Sequence, residues 1–123
     1  MMNDQLYREI ILEHWKNPQN FGEISNPDFE ISDYNPLCGD KIKITGIISN
    51  GKVKDLKFTA EGCAISVASG SILTEELKHK SIEKIKDITQ EEYLNLLEVD
   101  LTSVRIKCGL LPYSALRKAL KDI

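Results

Sequence analysis

A chain of 123 residues suits one compact domain with a single core. Its apolar content of 41%, charged content of 28% and formal charge of -3 are those of an ordinary soluble domain. They give no basic stripe for nucleic acid, and no apolar run reaches the roughly 18–20 residues that span a bilayer. The opening Met-Met-Asn-Asp-Gln lacks the basic and apolar regions of a secretory signal. The expected location is therefore the cytoplasm, where thiols stay reduced. Three cysteines, an odd number, argue against a disulfide framework.

In chain order, Asn3 or Asp4 can cap a first helix running to about Trp15, with Leu6, Tyr7, Ile10, Ile11 and His14 on one stripe. Asn17-Pro18 ends it, since the residue before proline is pushed out of the α region. After a loop rich in Asn, Gly and Pro, the alternation of Phe29 to Tyr34 predicts a short strand. Lys41 to Thr45 alternates again. Asn50-Gly51 then stands before Val53 to Ala60 and is a strong hairpin signal. Val53 is out of phase with Leu56, Phe58 and Ala60, which predicts a bulge near Lys54-Asp55, with Gly46 opposite as the other place for it.

After Gly62-Cys63 the apolar period lengthens. Ile65, Ala68, Ile72, Leu73 and Leu77 mark a buried helix face. Thr89-Gln90-Glu91-Glu92 has the form of a capping box opening a short helix with Leu94 and Leu97 as its apolar contacts. Leu101 to Lys107 reads as a linker. The last helix carries Leu111, Ala115, Leu116, Ala119 and Leu120, with Pro112 in its first turn. The expected order is α, β, β, β, α, α, α: an α+β fold, a small antiparallel three-stranded sheet packed against helices.

The chemistry concentrates at the cysteines. Asn35-Pro36-Leu37-Cys38-Gly39-Asp40 sets a thiol and a carboxylate two residues apart in a polar loop. Cys63 and Cys108 are expected at helix N-termini, where positive partial charge favours thiolate, and Lys41, Arg105 and Lys107 add charge nearby. Gly39, Gly62 and Gly109 each adjoin a cysteine and would let backbone approach a bulky ligand. Together Cys38, Asp40, Cys63 and Cys108 form a candidate metal or cluster site. Taken singly, each cysteine reads equally as a small buried hydrophobe. Asp40 alone reads as a loop residue, His14 as part of a packing face and His79 as a solvated helix end.

The segments Asn35 to Asp40, Gly62 to Ser66 with Ala68-Ser69, and Lys107-Cys108-Gly109-Leu110-Leu111-Pro112 resemble the three signatures of the U-type iron–sulfur assembly proteins. These are the IscU, SufU and NifU N-terminal families. Leu6 to Ile11, Lys16-Asn17-Pro18 and Phe21-Gly22 are similar to the family's first helix, above all in its SufU branch. The resemblance implies a SufE/NifU-like α+β fold and one NifU-N/IscU-like domain over residues 1–123. It implies Cys38, Asp40, Cys63 and Cys108 as ligands of a transient [2Fe–2S] cluster or of Zn2+. Its implied partners are a cysteine desulfurase, which donates sulfur, and iron–sulfur acceptor or carrier proteins. Lys107 stands where IscU proteins have histidine, and Leu101 to Arg105 replaces their proline-rich chaperone motif. The extra segment usual in SufU between the second and third cysteines is absent, so the chain falls between branches.

Two functions follow. One is a scaffold that builds a cluster on sulfur from the desulfurase, with Cys108 as the candidate persulfide acceptor, and passes it on. The other is a zinc-dependent sulfur-transfer protein that activates its desulfurase. Charge does not separate them, because Zn2+ and an oxidised [2Fe–2S] core carry the same charge. A cysteine hydrolase would need a histidine base, and neither His14 nor His79 has an associated signature. Tyr7, Trp15 and Phe21 read either as core packing or as an exposed docking surface.

Overall fold

The computed structural model describes residues 4–36, 39–96 and 103–121, and for residues 4–8 and 103–108 the backbone course alone. Eight elements follow one another: α1 (Asp4–Lys16), β1 (Phe29–Asn35), β2 (Asp40–Ser49), β3 (Lys52–Glu61), α2 (Ala64–Leu77), α3 (Ile82–Asp87), α4 (Gln90–Leu96) and α5 (Ser103–Leu120). The three strands form one antiparallel sheet in the order β1-β2-β3. This is the α+β architecture expected, with one helix more.

Register follows from the pleat. Facing residues of antiparallel strands share a side. The pairs Ile31↔Ile44↔Phe58 and Asp33↔Ile42↔Ala60 therefore lie on one face. That face is the apolar one. Ile42, Ile44, Leu56 and Phe58 are buried against Leu73 and Leu77 of α2, Ile82 and Ile85 of α3, Tyr93 of α4 and Leu111, Ala115, Leu116 and Leu120 of α5. Asn50 and Gly51 both take positive φ, 53° and 74°, as a type I′ hairpin requires. The register shifts between Ile47, paired with Asp55, and Ile48, paired with Val53. Lys54 is thus the extra residue of a bulge, which turns Val53 back to the core face. Gly46 keeps regular pairing and lies against the Phe29 ring.

α2 is buried nearly all round, polar side chains included. Small residues make this possible. The Phe58 ring approaches Gly70 so closely that a Cβ there would collide with it. Two of its buried hydroxyls are well partnered: Ser71 Oγ accepts from Gln19 N–H at 2.8 Å and bonds His14 Nδ1 at 2.7 Å, and Thr74 donates to the Gly70 carbonyl at 2.8 Å. The His14 contact ties α1 to α2 beside a small cluster of Ile11, Ile65 and Ala68. His79 is exposed at positive φ just past α2. Trp15 and Phe21 stay about half exposed, at 46% and 49%, although Phe21 meets Phe58 edge-on at 5.4 Å. No helix among the described residues is long and apolar enough to cross a membrane.

The capping box is present: Thr89 Oγ1 accepts from Glu92 N–H, and Glu92 Oε1 from Thr89 N–H, both at 3.1 Å. α3 was not expected. Its six residues carry only Ile82 and Ile85 as a buried pair, too short a run for periodicity, behind a Ser81 cap that accepts from Lys84 N–H at 3.2 Å.

The C-terminal reading needs the larger correction. Residues 103–107, expected as linker, are the opening turns of α5, and Pro112 lies well inside that helix. Cys108 is therefore a mid-helix residue, without the N-terminal dipole expected for it. Pro112 has no N–H for the Cys108 carbonyl, four residues back. One residue on, the Gly109 carbonyl accepts from the buried Tyr93 hydroxyl at 2.5 Å. Tyr93 stacks on Tyr113 at 4.9 Å. This side bond, from a tyrosine the apolar pattern does not single out, ties α4 to the turn of α5 that contains the proline.

Tyr93→Phe keeps the stack and removes the bond, so it should lower unfolding free energy by about 1–3 kcal/mol, measured in denaturant. Burial also raises the Tyr93 phenol pKa far above its ordinary value. The folded protein then holds that proton where the unfolded chain has lost it, so stability is intact at neutral pH and declines as pH rises past about 10. The alkaline decline should be shallower in Tyr93→Phe.

Candidate metal centre

Strand alternation decides where Asp40 points. Asp40, Ile42, Ile44 and Gly46 are the inward positions of β2, so the first inward position is a carboxylate at the end of the core face. Asp40 is only 2% exposed. A buried carboxylate needs donors, and the start of α2 supplies them. Asp40 Oδ1 accepts the Cys63 backbone N–H at 3.1 Å, and Oδ2 accepts the Cys63 thiol at 3.2 Å and the Ser66 hydroxyl.

Cys63 is the N-cap of α2 but makes no side-chain capping bond, so its sulfur turns to Asp40 instead. It is half-buried and packs against the Ile11, Ile65 and Ala68 cluster. The carboxylate lies at the positive end of a 14-residue helix, where negative charge is favoured. Gly62 makes this approach possible. Its φ is +139°, and a Cβ there would run into the Asp40 carboxylate and backbone. Glycine beside the second cysteine thus admits a neighbouring carboxylate.

The structure brings together Asp40 and Cys63. Cys38, between Pro36 and Gly39, lies outside the described residues, and so do the side chains of Arg105, Lys107 and Cys108. Among the described residues no three metal-ligating side chains converge. The β1–β2 connection is tight: Asn35 and Asp40 pair, and the Asn35 carbonyl accepts Gly39 N–H at 2.8 Å. His14 is engaged with Ser71, and His79 lies beyond the far end of α2 from Cys63, so neither serves Cys63 as a base. Ser66 is the site residue that sequence reasoning passed over, although it lies within a quoted motif. The signal was its spacing, three residues after an N-cap, where a helical side chain leans back toward the N-terminus.

The pair suits a metal. A thiolate and a carboxylate bound to one tetrahedral Zn2+, at about 2.3 and 2.0 Å, stand about 3.5 Å apart. Cys63 Sγ and Asp40 Oδ2 are 3.2 Å apart. Small adjustment would let both bind one ion, and the donor set of sulfur and oxygen suits zinc or iron.

A three-stranded antiparallel sheet covered by helices, with a buried carboxylate facing the thiol of the α2 N-cap residue, defines a small α+β domain with a paired sulfur and oxygen donor. The chain belongs to the NifU-like N terminal domain family, whose model matches residues 6–123. It is 37% identical to the zinc-dependent sulfurtransferase SufU of Bacillus subtilis, over 95% of this chain and 90% of that protein. It is 33% identical to the iron–sulfur cluster assembly scaffold protein IscU 1 of Archaeoglobus fulgidus, over 95% and 76%. Among solved structures it is similar to a Fervidobacterium islandicum protein proposed as an iron–sulfur cluster assembly scaffold of the SUF system, at TM-score 0.77, 26% identity and coverage of 97% and 99%. The fold also matches the N-terminal part of a NifU-like protein from Brucella abortus, at TM-score 0.76, 19% identity and coverage of 96% and 94%.

Gly62→Ala should cost on the order of 1–3 kcal/mol in unfolding free energy, because the new Cβ displaces Asp40 and alanine must hold the positive φ of Gly62. Gly39→Ala, also at positive φ but with nothing among the described residues within 4 Å of its Cβ, should cost only ~1 kcal/mol. Denaturant titration of the two variants checks the contrast.

Proposed function

We propose that this protein is an iron–sulfur cluster assembly scaffold that receives sulfur from a cysteine desulfurase and passes a [2Fe–2S] cluster to acceptor proteins. Cys38, Asp40, Cys63 and Cys108 hold that cargo, and residues 1–123 act as one NifU-N/IscU-like domain. The observation that carries this reading is the buried Asp40 carboxylate 3.2 Å from the Cys63 thiol at the head of α2. The scaffold named among its relatives supports it. Aspartate is a harder and less committed ligand for an iron–sulfur core than a fourth thiolate, so three cysteines with one aspartate hold a cluster that can leave. An electron carrier needs the opposite.

Sulfur arrives by exchange. The Cys108 thiolate attacks the outer sulfur of the desulfurase persulfide, the S–S bond breaks, and the desulfurase cysteine departs as thiolate. Lys107 beside Cys108 in the chain favours the thiolate and supports this choice, whereas the neighbouring segment expected to be a movable linker is the opening of α5.

The 37% identity to a zinc-dependent sulfurtransferase favours a second reading. Here the same four residues would hold Zn2+, which fixes the thiolates in place and keeps them deprotonated, and one cysteine would leave the metal to accept sulfur.

Elemental analysis and visible absorption of anaerobically purified protein, with and without desulfurase, iron and cysteine, separate the two. A brown labile chromophore with about two irons per chain, lost in Cys38→Ala or Cys63→Ala, is the expected result for the scaffold. A colourless protein with stoichiometric zinc that raises desulfurase turnover without gaining iron makes it a sulfur-transfer protein. Neither metal, with all three cysteines dispensable in both assays, removes the site.

A further inference from the structure

Ser66 is wholly buried in the first turn of α2, and its hydroxyl donates to Asp40 Oδ2. The same oxygen is 3.2 Å from Cys63 Sγ, while Oδ1 is held by the Cys63 amide at 3.1 Å. Ser66 Oγ itself stands 3.8 Å from the sulfur. The two carboxylate oxygens thus have different surroundings. Oδ1 faces the backbone at the head of α2, and Oδ2 faces the thiol.

We infer that Ser66 is a positioning residue for the metal-ligating carboxylate, fixing Asp40 so that it binds through Oδ2 beside Cys63. This rests on the ligand set proposed above. β2 settles where the Asp40 Cβ lies, but two side-chain torsions remain, and donors must fix them. Of the donors named at Oδ2, the Cys63 thiol gives up its proton when the sulfur binds metal. The Ser66 hydroxyl keeps its proton and stays. With the Cys63 amide it grips both oxygens, so the carboxylate meets the ion already oriented and through one oxygen. Such outer partners of a ligand set both its orientation and its affinity.

The test is zinc affinity by competition with a chromophoric chelator, on the full chain, for wild type, Ser66→Ala, Ser66→Thr, Asp40→Ala and the Asp40→Ala/Ser66→Ala double variant. Ser66→Ala should weaken zinc binding about 10–100-fold, and Ser66→Thr, which keeps the hydroxyl, should recover most of that. In the Asp40→Ala background Ser66→Ala should change nothing further, because the residue it positions is gone. The visible spectrum of Co2+-loaded protein gives a second reading, and its ligand-field bands should move in Ser66→Ala and return in Ser66→Thr. An equal loss with and without Asp40 would show that Ser66 acts only through helix packing, and would overturn the inference. So would a Ser66→Ala protein that binds zinc like wild type while Asp40→Ala binds it weakly. Wild-type affinity in Asp40→Ala would instead remove Asp40 from the ligand set, and the inference with it.

Discussion

A carboxylate facing the head of a helix, with a glycine in between, is the constraint on which the site depends. Asp40 is buried because β2 alternates, and burial would be costly without the donors that α2 presents. α2 can present them because Gly62 adopts a backbone angle and a closeness that a side chain would forbid. The strand, the turn and the first helical turn therefore act as one unit.

The same unit explains the composition of α2. A helix covering a sheet usually shows one apolar stripe. This one is buried on nearly every side, between α1, β3 and α5, so its remaining faces carry serine, threonine and glycine. Three of the hydroxyls are matched to different neighbours. Ser66 holds Asp40, Ser71 holds the segment after α1, and Thr74 bonds its own helix.

Much of this was legible in the sequence. Alternation around Asn50-Gly51 specified the hairpin, and the phase slip at Val53 called for a bulge near Lys54-Asp55 or at Gly46 opposite, of which the register selects Lys54. Thr89 and Glu92 announced α4 by chemistry that acts within four residues. What was hidden depended on long-range contacts. Residues 103–107 show no local helix signal, and Pro112 argued for a helix start nearby. The helix runs on regardless, with Tyr93 from α4 bonded to the turn that carries the proline, and no local pattern encodes that bond. Asp40, Cys63 and Cys108 were nominated as ligands by resemblance and by their glycine neighbours, but the inward aim of Asp40 follows from register and the role of Ser66 from three-dimensional proximity.

The division of the apolar interior has a consequence for timescales. Cys63 packs against the cluster of Ile11, Ile65 and Ala68, whereas the sheet and α3 to α5 are closed by a much larger cluster, with Ile72 packed against both. Free energies of local opening scale with the surface exposed, so amides of α1 should exchange hydrogen at lower free energy than those of the sheet. The thiol of Cys63 thus sits where the smaller share of the apolar interior holds the fold closed.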